Sequence, residues 1–467
     1  MQISIEDLKK FMEEARGASY VELRYHARTL NEIRVSKGEL DRIRSVVNNG
    51  IGIRVLVGGC WGFSSTGEMS KESIMDSIND AISSAVLLSK NKKRKVEKLA
   101  DANLAVGTFK PRVNGNLTDY GIEDKVRMVI DSEKSVRKFS GKIKAAFCTY
   151  RETIDHKMIV TSDGASAELF DSKPEFSVTA VAKESGNSAT ATEGKGVTGG
   201  WKDLFNSKSA DNIAKEAAKK AVKLLKAKQP KGERTQIILD PGMVGLISHE
   251  AIGHTVEADF VLSGSIVKDK MGQKVASDLV TLVDSGPSQF IDGAAGTVYV
   301  DDEGVLTGRT AIIEHGIMRS YLHNRETAAI FSAEPTGNAR AYEYDNEPLI
   351  RMRNTFIEPG TYSYNEIIKE TKHGYLMKGA RNGQADANGE FMFGSQEAYL
   401  IENGEIKQLM RGASISGRAL DVLITIDAVG KDFQYDIGTG YCGKYQPMKV
   451  DGGGPHIRCT AIIGGIQ

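Results

Sequence analysis

Cysteine is scarce in this sequence, and net charge is absent. The 467 residues include four cysteines, Cys60, Cys148, Cys442 and Cys459, whose wide separation argues against a disulfide framework and is typical of a reducing compartment. The 61 basic and 61 acidic residues cancel. Because nucleic-acid binding depends on excess positive charge that displaces counterions, this balance argues against direct contact with DNA or RNA.

Long apolar runs and nucleotide-binding signatures are also missing. No stretch approaches the ~18 consecutive apolar residues that a membrane-spanning helix needs. The first residues predict a charged amphipathic helix with Ser4 and Asp7 as a capping box, so we expect no signal peptide. There is no Walker A sequence, and we interpret the G-x-G-x-x-G at 194–199, which follows a polar stretch, as a flexible loop. These absences favour a cytoplasmic protein without a membrane anchor.

The hydrophobic pattern predicts an α+β protein of two domains, for which the chain is long enough. Apolar and polar residues alternate from 20 to 57, as in half-buried antiparallel strands, and helical patterns follow at 70–88, 122–137 and 210–227. The polar stretch at 228–234, with its proline and glycine, is the best linker. We therefore predict an N-terminal α/β domain with an antiparallel sheet at 1–230 and a C-terminal strand-rich domain at 231–467.

The C-terminal half contains further short patterns. Apolar stretches predict strands at 296–300, 310–314, 317–322, 397–402 and 422–427. His315 lies in a Glu-His-Gly sequence with turn chemistry, so we interpret it as a turn residue rather than a metal ligand. Residues 386–390 lack a complete series of calcium ligands and predict a hairpin turn.

The stretch at 239–260 predicts a helix that carries a metal site. Asp240 followed by Pro241 is a strong N-terminal signal, because the aspartate caps free N–H groups and proline gives up no useful donor. His249, Glu250 and His254 then form an H-E-x-x-x-H pattern. Neutral imidazoles bind Zn²⁺, and a nearby carboxylate that is not itself a ligand can take a proton from metal-bound water.

The histidine spacing needs an irregular helix. Zinc peptidases of the familiar H-E-x-x-H type have histidines four residues apart on one face. Five residues on a regular helix place His249 and His254 roughly 140° apart. A π-bulge or kink at Gly253 adds one residue to a turn and turns His254 back towards His249. We therefore predict a bulged or kinked helix near Gly253.

Several motifs together resemble the TldD/PmbA family of zinc metallopeptidases, and the likeness runs nearly the full length of the chain. The H-E-x-x-x-H pattern is specific to the catalytic TldD-like branch, whereas the PmbA-like partner, also called TldE, lacks it. The other motifs that carry the resemblance are Gly-Ile-Arg-Val-Leu-Val-Gly-Gly-Cys-Trp-Gly-Phe-Ser-Ser-Thr at 52–66, Tyr-Leu-His-Asn-Arg at 321–325, Thr-Gly-Asn-Ala-Arg at 336–340, Asn-Thr-Phe-Ile-Glu-Pro-Gly at 354–360 and Gly-Tyr-Cys-Gly-Lys at 440–444.

The resemblance implies a zinc site made by His249, His254 and Cys442, with Glu250 as the catalytic glutamate. Spacing alone does not select Cys442, although a thiolate is an ordinary zinc ligand and the surrounding glycines allow close backbone approach. Glu257 is an alternative third ligand because it follows His254 by three residues on a helix. His323 and Cys459 are weaker alternatives.

The resemblance also implies a dimer that encloses the site, so that peptides or unfolded polypeptides are the substrates. The dimer is either a homodimer or a heterodimer with a PmbA/TldE-like subunit. The leading hypothesis is a zinc-dependent peptidase in which Glu250 is the general base. The alternative is a non-catalytic, PmbA-like binding subunit. The intact His249-Glu250-His254 pattern favours the enzyme, because a structural metal site has no use for an adjacent carboxylate.

Overall fold

The computed structural model describes residues 3–91, 95–386 and 388–465. Within them, one mixed sheet is formed by strands up to residue 196, and all strands from residue 233 onward belong to other sheets. The α-helices are α1 (Ile5–Glu13), α2 (Lys71–Ser89), α3 (Ile122–Phe139), α4 (Trp201–Leu204), α5 (Ala210–Leu224), α6 (Pro241–Leu246), α7 (Ala258–Leu262), α8 (Arg325–Phe331), α9 (Tyr364–Glu370) and α10 (Ala419–Ile424).

The N-terminal sheet has the order β3-β2-β1-β5-β6-β4, and β7 pairs with β6 further along the edge that β4 also uses. All of its pairs are antiparallel except β4 with β6, because β4 is reached by a long connection rather than a hairpin. Helices α3 and α5 pack on this sheet through a shared apolar cluster. Its strands are β1 (Tyr20–Ser36), β2 (Glu39–Val57), β3 (Cys60–Thr66), β4 (Val106–Phe109), β5 (Ile143–Thr161), β6 (Ser166–Glu184) and β7 (Asn187–Gly196).

The C-terminal half contains two larger sheets, of order β15-β8-β24-β18-β16-β17 and β11-β10-β9-β14-β23-β20. Its strands are β8 (Glu233–Leu239), β9 (Leu282–Ser285), β10 (Arg309–Glu314), β11 (Ile317–Met318), β12 (Ala339–Arg340), β13 (Leu349–Ile350), β14 (Asn354–Ile357), β15 (His373–Ala385), β16 (Glu390–Glu402), β17 (Glu405–Met410), β18 (Ala413–Arg418), β19 (Ala428–Val429), β20 (Gln434–Tyr435), β21 (Tyr441–Lys444), β22 (Gln446–Lys449), β23 (Asp451–Gly454) and β24 (Ile457–Gly465). The predicted α+β class is confirmed.

The largest apolar core surrounds the segment that carries His249 and His254. Val244, Ile247 and Ile252 of this segment are buried and belong to one cluster with side chains of β8, β15 and β24. Burial of an aliphatic side chain of this size contributes about 1.5–3 kcal/mol. The segment is therefore fixed against the sheets along its length.

A buried ion pair holds the chain that packs beside this segment. Arg353 and Asp284 are both fully buried, and Arg353 Nε donates to Asp284 Oδ2 over 2.8 Å. The Asn338 amide, the Arg353 backbone N–H and the Thr355 hydroxyl also donate to the two carboxylate oxygens. These donors satisfy the carboxylate, which offsets the cost of removing its charge from water. Met352, next to Arg353, is thereby fixed in the core.

Several predicted elements differ in the structure. Residues 422–427 were expected to be a strand, but Val422 and Leu423 belong to helix α10 (Ala419–Ile424). Residues 296–300 make only an isolated bridge between Val300 and Leu306. In the stretch at 317–322 only β11 is a strand, and Leu322 makes an isolated bridge to Glu257. Short apolar runs do not distinguish a buried helix from a strand, and here tertiary packing decides.

Other local predictions are correct. His315 occupies a turn with a φ of 47°, as the Glu-His-Gly sequence indicates. Residues 386–390 connect β15 and β16, and the Asp386 N–H donates to the Glu390 carbonyl, whereas residue 387 lies outside the described part. Along residues 3–91, 95–386 and 388–465, every helix is too short or too polar to traverse a lipid bilayer.

Candidate metal centre

His249 and His254 lie on a stretch of π-helix. Helix α6 begins at Pro241, capped by Asp240, and continues directly into the π-helical segment Ile247–Gly253. The His254 N–H donates to the His249 carbonyl, five residues earlier, over 3.2 Å. The wider turn places the two imidazoles side by side, with ring centroids 5.3 Å apart. The predicted bulge near Gly253 is confirmed.

Gly253 provides space in this turn. Its φ is not positive, so the backbone torsion does not require glycine. A β-carbon at position 253 would instead overlap the Met352 sulfur, which Arg353 and its neighbours fix in the core. The glycine therefore allows the π-helical segment to approach the chain at 352.

The helix ends sooner than the sequence pattern predicts. Residues 239–260 were expected to form one helix, but Glu257 has an extended backbone with a ψ of 122° and precedes the separate helix α7. The Leu322 N–H donates to the Val256 carbonyl, and the Ala258 N–H donates to the Leu322 carbonyl. This isolated bridge to Leu322, which is distant in sequence, replaces the helical hydrogen bonds at the break.

Cys442 reaches the two histidines from a hairpin near the C-terminus. Strands β21 and β22 pair across a tight turn at Tyr445, whose φ is 61°. The Arg351 guanidinium donates to the Cys442 carbonyl over 2.6 Å and holds the strand. Cys442 Sγ lies 3.2 Å from His254 Nε2, and one donor atom from each of His249, His254 and Cys442 lies within 4.8 Å of the others.

The chemistry of these three side chains fits a zinc ion. Both ring nitrogens of His249 are buried and have no hydrogen-bond partner, and leaving a buried polar group unpaired costs about 1–3 kcal/mol. A metal ion would relieve this cost at the nitrogen that carries the lone pair. Tetrahedral Zn²⁺ with ordinary Zn–N and Zn–S bonds separates its ligand atoms by about 3.3–3.6 Å. The three donor atoms lie within 4.8 Å of one another, so His249, His254 and Cys442 would be able to hold such an ion together.

The electrostatics of the cluster favour metal binding as well. Burial opposes ionisation of the Cys442 thiol, but the imidazoles of His249 and His254 outweigh it and lower the pKa of this thiol to about 4. Burial likewise disfavours an imidazolium at His254, yet Cys442 and Glu257 raise its pKa to about 10. A thiolate and a proton therefore share the site, and a cation can replace that proton.

The two nearby glutamates lie on opposite sides of His254. Glu250 Oε2 is 3.8 Å from Nε2, the nitrogen that also faces Cys442. Glu257 Oε2 is 3.0 Å from Nδ1, on the far side of the ring. Glu250 is thus next to the candidate metal position, and Glu257 faces away from it.

The remaining alternatives for a third ligand lie elsewhere. His323 contacts Thr327 through Nδ1, and burial lowers its pKa to about 4. Cys459 lies on β24 opposite Ile237, and burial raises the pKa of its thiol to about 12. Within the described part of the chain, the candidate metal-binding group that includes His249 and His254 is completed by Cys442.

The cluster opens onto a cleft of about 1070 Å³. His249, Glu250 and Cys442 line this cleft, and so do residues of β7, α5, β15 and β16. The cleft therefore lies between the N-terminal sheet and the C-terminal half. The glycines at 194 and 196, which we expected in a flexible loop, belong to strand β7, because β6 offers them an unpaired edge.

Family comparison defines the class of the chain. Three family models, described as domain 1, the central domain and the C-terminal domain of the PmbA/TldA metallopeptidases, match residues 21–87, 115–225 and 232–463. The chain is accordingly a metallopeptidase, an enzyme that hydrolyses peptide bonds. The enzyme class predicted from the sequence is confirmed.

Similarity to individual relatives identifies the family to which this chain belongs. A protein of Methanocaldococcus jannaschii named a metalloprotease is 39% identical over 99% of this chain and 100% of its own length. A zinc metalloprotease TldD homolog of Saccharolobus solfataricus is 31% identical over 97% of this chain and 98% of its own length. The chain belongs to the PmbA/TldD family. The crystal structure of TldE from Thermococcus kodakarensis shares the fold, with a TM-score of 0.79 and 19% identity over 99% of this chain and 100% of that chain.

Two supporting residues were not anticipated from the sequence. Arg351 is fully buried and binds the carbonyls of Cys442 and Gln446, on both strands of the hairpin. The Met352 side chain lies so close to position 253 that only glycine, which has no β-carbon, fits there. The Arg-Met-Arg sequence at 351–353 places two arginines in an apolar environment, which is a signal of a buried polar network, but it does not identify the partners.

Gly253→Ala should weaken zinc binding and lower stability by about 1–3 kcal/mol, because the new methyl group overlaps Met352 in a packed core. Thermal unfolding and zinc content of the purified variant measure both effects. The double variant Gly253→Ala/Met352→Ala removes the overlap and should regain zinc. Gly443→Ala, where a β-carbon meets open space, is the matched control. If the double variant stays metal-poor, glycine is needed for the backbone and not for space.

Cys442 should be alkylated selectively in the metal-free protein. With a pKa of about 4, its thiol is ionised at pH 6 and loses reactivity as the pH falls through that value. Burial raises the pKa of Cys148 and Cys459, so these thiols stay protonated. Mass spectrometry after iodoacetamide treatment at pH 6 locates the label, and added zinc should prevent it. Equal labelling of Cys459 would contradict the assignment.

Proposed function

We propose that this enzyme is a zinc-dependent peptidase whose metal is held by His249, His254 and Cys442. The observation that carries the proposal is the buried group of two imidazoles and one thiol at the cleft, with the Glu250 carboxylate beside it. When bound, zinc polarises a scissile carbonyl and lowers the pKa of water. The name of the Saccharolobus solfataricus relative, which is a zinc metalloprotease, also supports zinc.

Glu250 is suited to the role of general base. Its side chain is about one-third exposed and lines the cleft, so substrate and water reach it. In the proposed reaction Glu250 takes the proton from the attacking water and then gives a proton to the leaving amine. His249 precedes it on the π-helical segment and His254 caps that segment, so the base and the two histidines share one continuous element. Cys442 and the two histidines would hold the metal, and His249, Glu250 and Cys442 line the cleft.

The cleft favours extended peptides as substrates. Within the described residues, strand β7 pairs only with β6, and its outer edge, at Thr190 and Thr192, faces the cleft. A free strand edge accepts an extended peptide through main-chain hydrogen bonds, which read the backbone rather than the side chains. One N–H on this outer edge is already paired, because Thr192 donates to the Gln396 side chain over 2.8 Å. We therefore propose short or unfolded polypeptides as substrates, with loose sequence preference.

The alternative function is a non-catalytic PmbA-like binding subunit. The fold alone does not separate the two, because the TldE structure has the same fold. The metal-binding group and the adjacent Glu250 favour the enzyme, since a binding subunit needs neither. The peptidase is therefore the function we propose.

We make three further proposals about the organisation of the protein. The chain divides near residue 230 into an N-terminal unit, 1–230, and a C-terminal unit, 231–467, which is supported by the absence of sheets that combine described strands from both sides. The enzyme acts as a homodimer or as a heterodimer with a PmbA/TldE-like subunit that encloses the site. It works in the cytoplasm, in keeping with four free, buried cysteines.

Glu250→Gln should keep zinc and lose peptide cleavage by about 10²–10⁴-fold, because the amide preserves shape but cannot accept the proton. Elemental analysis and turnover of a fluorogenic peptide measure the two properties. Cys442→Ala is the companion variant and should lose zinc as well as activity. Loss of zinc from Glu250→Gln would make Glu250 a ligand and reject its role as base.

Unfolded protein should be cleaved much faster than the same protein in its native form, because an enclosed cleft admits only extended chain. The test offers one substrate protein in native form and as a destabilised, unfolded variant, at equal concentration, to the zinc-loaded enzyme. Gel electrophoresis follows the loss of intact chain. Equal rates for the two forms would show that the site is open and not enclosed.

A further inference from the structure

Lys444 is a buried cation two residues beyond Cys442 on strand β21. Lys444 as a whole is only 6% exposed. Side chains at positions i and i+2 of a strand lie on the same face. The face of β21 that directs the Cys442 thiol to His254 therefore also directs the Lys444 ammonium to the residues that follow His254.

Lys444 has a complete set of partners there. Its Nζ donates to Asp259 Oδ1 over 2.8 Å, to the Ile350 carbonyl over 3.1 Å and to Glu257 Oε2 over 3.3 Å. It also lies 4.3 Å from the centre of the Phe260 ring. Removing a lysine from water is costly unless such partners replace its hydration. The ammonium therefore ties the hairpin to the segment 257–260.

Glu257 connects this lysine to the candidate metal centre. Its side chain is fully buried, and Oε2 contacts both Lys444 Nζ and His254 Nδ1. The contacts form a closed ring, which runs from the Cys442 thiol to the His254 imidazole, to the Glu257 carboxylate and to the Lys444 ammonium. The ring closes through two peptide bonds back to Cys442.

The charge of Glu257 has a defined effect on His254. The Glu257 carboxylate accepts from Nδ1, so Nδ1 keeps its proton when a cation replaces the proton on Nε2, and the Nε2 lone pair that is then freed faces Cys442. Nε2 is the nitrogen that a metal beside Cys442 requires. A ring whose orientation and Nδ1 proton are fixed before the metal arrives binds the metal more tightly.

We propose that Glu257 and Lys444 are positioning residues that preset the metal centre. Glu257 fixes the tautomer and ring orientation of His254, and Lys444 holds Glu257 in place while it anchors the Cys442 hairpin. This inference rests on the proposed zinc site. It assigns a role to two buried residues that touch neither the metal nor the substrate.

A purely structural ion pair has a different signature, and a second buried pair provides the control. Lys449 on β22, also 6% exposed, pairs with the buried carboxylate of Glu175. The variants Glu257→Gln/Lys444→Met and Glu175→Gln/Lys449→Met each neutralise one lysine–glutamate pair at the same hairpin. Because each double variant neutralises both members of its pair, no buried lysine or glutamate of that pair is left charged without its partner, and we expect both variants to fold.

The experiment measures the zinc dissociation constant by competition with a chromophoric chelator, together with the thermal unfolding midpoint. Glu257→Gln should weaken zinc binding by about 10–100-fold, as for other groups that orient a metal ligand. Glu257→Gln/Lys444→Met should be equally weak, and Glu175→Gln/Lys449→Met should keep the affinity of the unmodified protein even if its midpoint falls.

The possible results separate the two levels of the proposal. If the unmodified protein binds about one zinc and both double variants weaken equally, or neither does, the positioning role is rejected and the zinc site stands. If the unmodified protein binds no zinc, the zinc site itself is rejected together with this inference. Loss of affinity confined to the Glu257 variants supports the positioning role.

Discussion

The site depends on one hydrogen bond, from the His254 N–H to the His249 carbonyl. It spans five residues instead of the four of an α-helix. A regular helix would turn the second imidazole away from the first, and no side-chain rotation would repair that. The π-helical turn has poorer packing than an α-turn, so it persists only where the surroundings fix it. Here Gly253 against Met352 and the pairing of Leu322 with residues 256 and 258 provide that constraint.

Buried charges do much of the remaining positioning. Arg353 with Asp284 fixes Met352, Arg351 holds the carbonyls of the hairpin, and Lys444 joins the hairpin to Glu257. Each of these groups is costly to bury, and Arg353, Arg351 and Lys444 each have several hydrogen-bond partners that offset this cost. The chain thus uses directional polar contacts, rather than apolar packing alone, to hold the candidate ligands in place. Apolar contacts are less selective for a single arrangement.

The features that were predictable from sequence are local ones. The spacing of His249 and His254 around Gly253 predicts the π-turn, because geometry within a few residues is set by the helix itself. The break at Glu257 was not predictable, since it depends on Leu322, and the strand at Gly194 depends on a free edge of β6. Cys442 was predicted as a metal ligand only through the family resemblance. Nothing in its own surroundings indicates which histidine it meets, and its role stays a proposal.

The separation of Cys442 from His254 by 188 residues sets the order in which the centre assembles. Closing a loop of that length costs about 3 kcal/mol more entropy than closing the short loop between the histidines. In the unfolded chain the two imidazoles of this site therefore lie near each other, whereas the thiolate would join them only after the hairpin has docked. In the proposed site, an ion that binds the native chain and not the denatured one would stabilise the folded enzyme in proportion to the zinc available.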